Sequence, residues 1–127
     1  MGLFDGMGIS GSGMTAERLR MDTTAQNLAN AETPGYRRRE VAFQAVLDGA
    51  QAKGVRATGI VEDATPNRRT YDPGNPAADA QGYVSMPNVT PVTEMVDLIS
   101  ASRGYEANVN AMQAAKQMLQ RTFEVLR

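Results

Sequence analysis

The sequence predicts an α+β protein in which long N- and C-terminal helices form a coiled-coil-like rod core beside a small β-rich middle segment. Three observations predict it: apolar residues at helical spacing near both ends, short strand-like runs broken by turn residues in the middle, and a Pro-Gly corner between the first two regimes. They divide the chain into residues 1–36, 37–90 and 91–127. At 127 residues one domain, or a small domain with long extensions, accounts for the chain, since compact domains usually run about 100 to 150 residues.

In the first segment Met7, Met14, Met21 and Leu28 recur at a seven-residue interval, with Gly11 and Ala25 on adjoining heptad positions. This spacing predicts a helix to about residue 31 with a narrow apolar seam. Arg18 interrupts the seam. Gly2, Gly6, Gly8, Gly11 and Gly13 weaken the helix, each by about 1 kcal/mol relative to alanine in a helix interior. An ordinary amphipathic helix packed on its own domain fits the same residues.

The middle segment offers strands at Val41 to Val46, Val55 to Glu62, Arg69 to Tyr71 and Tyr83 to Met86. Between them, Asp72-Pro73-Gly74-Asn75-Pro76 is a loop whose prolines forbid regular pairing, and Gly82 and Pro87 bracket the fourth strand. So short a β-rich piece is near the lower size limit for a core of its own. It is expected to lean on the helices or on neighbouring subunits.

The last segment has the stronger pattern. Met95, Leu98, Ser102, Tyr105, Val109, Met112, Lys116, Leu119, Phe123 and Leu126 alternate three and four apart, broken only by Ser102 and Lys116. Thr90 is placed to cap this helix and Pro91 to occupy its first turn. From Pro91 to the end, the helical rise gives a rod of about 55 Å. Its flanks are mostly uncharged: Ala107, Asn110, Ala111, Ala114 and Gln117 continue a small, amide-rich surface. A two-stranded zipper in water carries Glu and Lys at such positions, so this helix is expected to touch neighbours on more than one side. An amide-rich solvated face is the alternative.

Composition limits the chemistry. The chain has no cysteine, hence no disulfide framework or thiolate metal site, and no histidine, the commonest general base near neutral pH. No paired acids stand at a recognisable catalytic spacing, so neither catalysis nor a cofactor is expected. Thirteen basic and fourteen acidic residues give a net charge of −1, so no overall charge field points to nucleic acid. No run of about 20 apolar residues predicts membrane insertion, and the N-terminus lacks the pattern of a cleavable signal peptide.

Three motifs suggest chemistry that their surroundings do not support. Gly6-Met7-Gly8-Ile9-Ser10-Gly11 matches the glycine pattern of dinucleotide-binding turns, but the strand that must feed such a turn has no room before it. Arg37-Arg38-Arg39 suits phosphate contacts, yet beside Glu40 it reads better as a solvated strand edge. Asn88-Val89-Thr90 fits a glycosylation pattern and is better explained as turn chemistry before a helix.

The segment Thr24 to Tyr36 contains Asn27-Leu28-Ala29-Asn30-Ala31-Glu32-Thr33-Pro34-Gly35-Tyr36. Physically it is a helix end with capping residues Asn30 and Thr33, a Pro34-Gly35 corner and the aromatic anchor Tyr36. This stretch resembles the N-terminal signature of the flagellar rod and hook axial proteins. Glu32 stands where that family commonly has Asn or Asp. Tyr71 to Pro76 and Gly82 to Val89 are similar to the central block of one rod subunit type, and Ser102 to Val109 to its C-terminal signature, with Gly104 in place of a better helix former.

The resemblance implies a structural rod subunit that polymerises with itself and with other rod subunits into the axial drive shaft. It also implies passage through the flagellar export apparatus and a place in the periplasm-spanning basal-body rod. On that reading Met7, Met14, Met21, Leu28, Met95, Leu98, Tyr105, Val109, Met112, Leu119, Phe123 and Leu126 are the assembly residues. Asn27, Ala29, Asn30, Thr33, Pro34, Gly35 and Tyr36 form the corner. Another rod or hook subunit, and a coiled-coil adaptor or export chaperone, remain as alternatives. The weak N-terminal seam further predicts a partly folded monomer, with frayed ends and slower hydrogen exchange within residues 41–86.

Overall fold

A computed structural model of the chain describes residues 2–127. The order is α1 (Leu3–Ala29), β1 (Arg39–Asp48), β2 (Gln51–Glu62), β3 (Arg68–Tyr71), β4 (Tyr83–Met86) and α2 (Pro91–Val125). Both terminal helices and all four expected strands are present, the first two strands longer than their apolar runs. Hydrogen-bonded pairing extends each of these two to its turn, where alternation gives no signal.

The helices are antiparallel: Gly11 lies against Met112, Gly13 against Asn108, Gly104 against Glu17, and Asn27 against Glu94. The glycines that weaken α1 in isolation let the two backbones approach. A Cβ on Gly13 would stand 2.8 Å from the Asn108 side chain, and one on Gly104 would stand 2.8 Å from the Glu17 carboxylate. Such proximity leaves room only for small or shared polar groups. The buried positions of α2 are accordingly Glu94, Ala101 and Ala115, with Asn108 in step between them.

This corrects half of the expected seam. The spacing puts Met95, Ser102, Val109 and Lys116 on the contact line, whereas the line passes one residue earlier and leaves Met95 and Lys116 exposed. Leu98, Tyr105, Met112 and Leu119 share the inward side and are half-buried. A second correction concerns Thr90. It occupies the N-cap in extended conformation without a side-chain bond, and its carbonyl accepts the Glu94 N–H at 3.1 Å.

The β segment forms two separate two-stranded antiparallel sheets, β1-β2 and β3-β4. The β1-β2 hairpin folds back along α1. At its base the Asn27 side chain accepts the Arg39 N–H at 2.9 Å and donates to the Arg39 carbonyl at 2.7 Å, acting as one rung of a missing strand. Nearer the tip, Ser12 Oγ accepts the Val55 N–H at 3.1 Å, and Lys53 reaches Asp5 at 3.3 Å. Gly54 is buried where a Cβ would strike Ser12.

The smaller β3-β4 sheet is tied to the end of α1 through the corner. Gly35 has a φ of 80° and donates its N–H to the Ser85 carbonyl at 2.9 Å. Val84, Pro87 and Val89 are buried beneath this junction. The hydrophobic core is therefore thin, and most of it lies at the end of the helix pair where α1 stops and α2 starts.

Candidate assembly interface and its polar junction

At that end, called the head, four parts of the chain meet around two side chains. Asn27 on the last turns of α1 is 1% exposed, and Glu94 on the first turn of α2 is 0% exposed. Asn27 Oδ1 accepts from the Tyr36 hydroxyl at 2.8 Å, and Asn27 Nδ2 lies 3.4 Å from Glu94 Oε2. One amide thus binds the helix end, the corner, β1 and α2. A carboxylate so buried needs a partner with charge.

Arg38 is that partner. Its Nε bonds Glu94, its Nη1 bonds Glu40 and lies 3.3 Å from Asp63, and its Nη2 lies 3.4 Å from Asp97. The backbone N–H of Arg38 donates to Asn88 Oδ1 at 2.9 Å, and Asn88 Nδ2 donates to the Thr65 carbonyl at 2.8 Å. The planar guanidinium, with five donors fixed in a fork, suits this many-sided role in a way that an ammonium does not.

The charges support one another. Burial opposes the charge on Arg38, but the hydrogen bonds and negative charges of Glu94 and Glu40 more than offset it and hold the guanidinium above its usual range. The Thr65 N–H, with help from Arg38, holds the Asp63 carboxyl below its usual range. Burial pushes the Tyr36 hydroxyl up against the opposing charge of Arg39, and Glu94 adds to the rise. Tyr36 is therefore a donor to Asn27 at neutral pH.

The arginine run is corrected by this geometry. Arg38 is only 15% exposed at its side chain and is occupied by protein carboxylates, so it is neither a solvated edge nor a free phosphate ligand. Arg37 donates to the Asp63 and Thr65 carbonyls, each at 3.2 Å, while Arg39 lies over the Tyr36 ring. Nothing in the sequence pairs Arg38 with Glu94 across 56 positions. From sequence, Glu94 reads only as an acid suited to the positive end of a helix.

The corner residues separate into roles. Asn30 ends α1 and its Nδ2 donates to the Gln26 carbonyl at 2.8 Å, while its Oδ1 accepts from Thr33 Oγ1 at 3.2 Å. Ala29, Thr33 and Pro34 are exposed. Of the seam residues, Met7, Met14, Met21, Leu28, Leu98, Tyr105, Val109, Met112 and Leu119 are half-buried within the subunit. Met95, Phe123 and Leu126 are exposed. The outer side of α2, with Ala107, Asn110, Ala111, Ala114 and Gln117, is exposed along its length.

Among the described residues no three carboxylates gather as metal ligands, and no helix is long and apolar enough to cross a membrane. Gly6 to Gly11 lie inside α1, not in a turn after a strand. What the molecule presents is a helix pair fixed at one end by a polar junction, with an alanine- and amide-rich helical face left open.

Residues 7–37 match the family profile described as flagella basal body rod protein, and residues 80–125 match the flagellar basal body rod FlgEFG protein C-terminal profile. The first covers most of α1 and the corner, the second β4 and α2. A helix pair bearing both profiles is a subunit of the flagellar rod class. The flagellar basal-body rod protein FlgC of Escherichia coli O6:H1 is 43% identical over 96% of both chains. FlgC of Bacillus subtilis is 40% identical over 98% of this chain and 99% of its own, and FlgC of Aquifex aeolicus is 45% identical over 98% and 97%. The chain belongs to the FlgC family of flagellar basal-body rod proteins and is a structural subunit of the basal-body rod.

Proposed function

We propose that this subunit polymerises through its helix pair, with itself and with other rod subunits, into the proximal part of the axial shaft that transmits torque. The observation that carries this reading is the open helical surface: α2 leaves Met95, Phe123, Leu126 and the alanine- and amide-rich face around Ala111 uncovered. The exposed alanine and amide side chains of Ala107, Asn110, Ala111, Ala114 and Gln117 on this helix of 35 residues allow another helix to approach closely. Contacts between unlike surfaces generate helical filaments when the rotation between neighbours does not close a ring. The same reading has the chain reach the rod through the flagellar export apparatus and act without catalysis or a cofactor.

The test is complementation of a strain lacking the gene with the double variant Leu119→Asp, Phe123→Asp. Each aspartate replaces an apolar side chain whose burial is worth about 1.5 to 3 kcal/mol. Swimming and rod formation should be lost at normal protein level. Retention of both would show that this part of α2 is not an assembly surface.

A further inference from the structure

The sequence contains two Asp-Gly pairs, Asp5-Gly6 and Asp48-Gly49. Such a pair is able to rearrange by itself, because a glycine nitrogen has no side chain beside it to keep the preceding aspartate carboxyl away. The fold treats the two pairs in opposite ways.

Asp5-Gly6 lies in the first turn of α1, where each reacting group is engaged. The Gly6 N–H donates to the Gly2 carbonyl at 3.1 Å. Asp5 Oδ2 accepts the Gly2 N–H at 3.0 Å, and Asp5 Oδ1 lies 3.3 Å from the Lys53 ammonium. The Gly2 N–H, and after it Lys53, hold this carboxyl below its usual range, in the ionised form that resists attack by a nucleophile.

Asp48-Gly49 sits at the tip of the β1-β2 hairpin. Asp48 pairs with Gln51 in the last rung, Gly49 has a φ of 62°, and Ala50 stays at negative φ. This is the type II′ pattern of a two-residue connection. Both Asp48 and Gly49 are exposed, and the Gly49 N–H donates to no backbone carbonyl among the described residues. The Asp48 carboxylate takes no part in the ion pairs that hold Asp5, Asp63, Asp79 and Asp97. A Cβ on Gly49 would meet nothing within 4 Å, so the reacting atoms stand in open space. The main chain of Asp48 must turn to bring its carboxyl onto the Gly49 nitrogen. That turn breaks only the terminal rung, and chain tips of this kind open at the least cost.

We propose that Asp48-Gly49 is a self-modifying site, converting through a succinimide to an isoaspartyl linkage in the folded protein, while Asp5-Gly6 is spared. The Gly49 nitrogen bonds to Asp48 Cγ and loses its proton as the Cγ–OH bond breaks, so one water leaves. Water then adds to either carbonyl of the ring. Opening at Cγ restores aspartate, whereas opening at the main-chain carbonyl leaves an isoaspartyl linkage with a free α-carboxylate. Water is the sole co-reactant. The product has one more methylene in the main chain, at the rung that closes the hairpin. The site does not depend on the rod reading.

The experiment incubates the purified full chain, folded and in guanidinium chloride, and digests both samples with trypsin. The two pairs then fall in separate peptides, residues 1–18 and 40–53, and electron-transfer fragmentation distinguishes isoaspartate from aspartate in each. The denatured sample sets the incubation time, since the same dipeptide without its structure should react at similar rates at both places. In the folded sample isoaspartate should build up in residues 40–53 and be about tenfold or more slower in residues 1–18. Asp48→Glu, which would have to close a larger ring, should remove the signal from residues 40–53. Equal accumulation in the two peptides of the folded chain would overturn the proposal. So would a folded chain whose residues 40–53 stay unmodified while the denatured one reacts.

Discussion

At the residue scale, Gly35 and the Arg38–Glu94 pair make the sharpest demands. Gly35 has a φ of 80°, a left-handed conformation that costs an L-residue roughly 1–2 kcal/mol. Gly35→Val should lower stability by at least that amount in chemical denaturation, and Gly35→Asn by less. An unchanged midpoint for valine would mean that the corner can be made another way. For the ion pair, Arg38→Met strands a fully buried carboxylate, and breaking such pairs costs about 3–5 kcal/mol. Adding Glu94→Leu should recover most of the loss. A double variant as unstable as the single one would show that Glu94 matters for its bond to Asn27 more than for its charge.

At the scale of elements, the same amino acid acts in opposite ways along α1. Gly6 has nothing within 4 Å of where a Cβ would be, so Gly6→Ala should stabilise the helix by about 0.5–1 kcal/mol. Gly13 faces Asn108, whose Nδ2 is held by the Gly104 carbonyl at 2.9 Å. Gly13→Ala must displace that amide or part the helices, and overpacking of this kind costs about 1–3 kcal/mol. Thermal unfolding of the two variants should therefore shift in opposite directions. Equal stabilisation would mean that the helices have slack at Asn108. The β1-β2 hairpin depends on such contacts too, since an isolated two-stranded ribbon is at best marginal in water.

At the scale of the whole molecule, burial is uneven. Asn27, Ala31, Val84, Val89, Glu94 and Ala101 are buried at the head, while the tail of α2 and most of both long strands are exposed. Local opening follows the density of buried contacts. Hydrogen exchange on the monomer should be slowest around residues 23–31 and 91–105 and fast beyond residue 119. This revises the sequence-based expectation of a protected middle and two frayed ends, because the middle has no core of its own and the head has one. Strongest protection within residues 41–60 would contradict the revised profile.

Local signals in the sequence were enough for the elements: periodicity marked α1 and α2, turn residues separated the strands, and the Asn27-to-Tyr36 stretch identified the corner and the family. Each such signal is carried by residues a few positions apart. Which side of α2 meets α1 emerged only on folding, because heptad spacing cannot weigh an apolar Met95 against a buried Glu94 when the residue opposite is the polar Asn27. The junction of Asn27, Arg38 and Glu94 was beyond sequence reasoning for the same reason. A charged residue is expected in water until a distant partner makes its burial tolerable, and that partner is brought beside it only when the chain has folded.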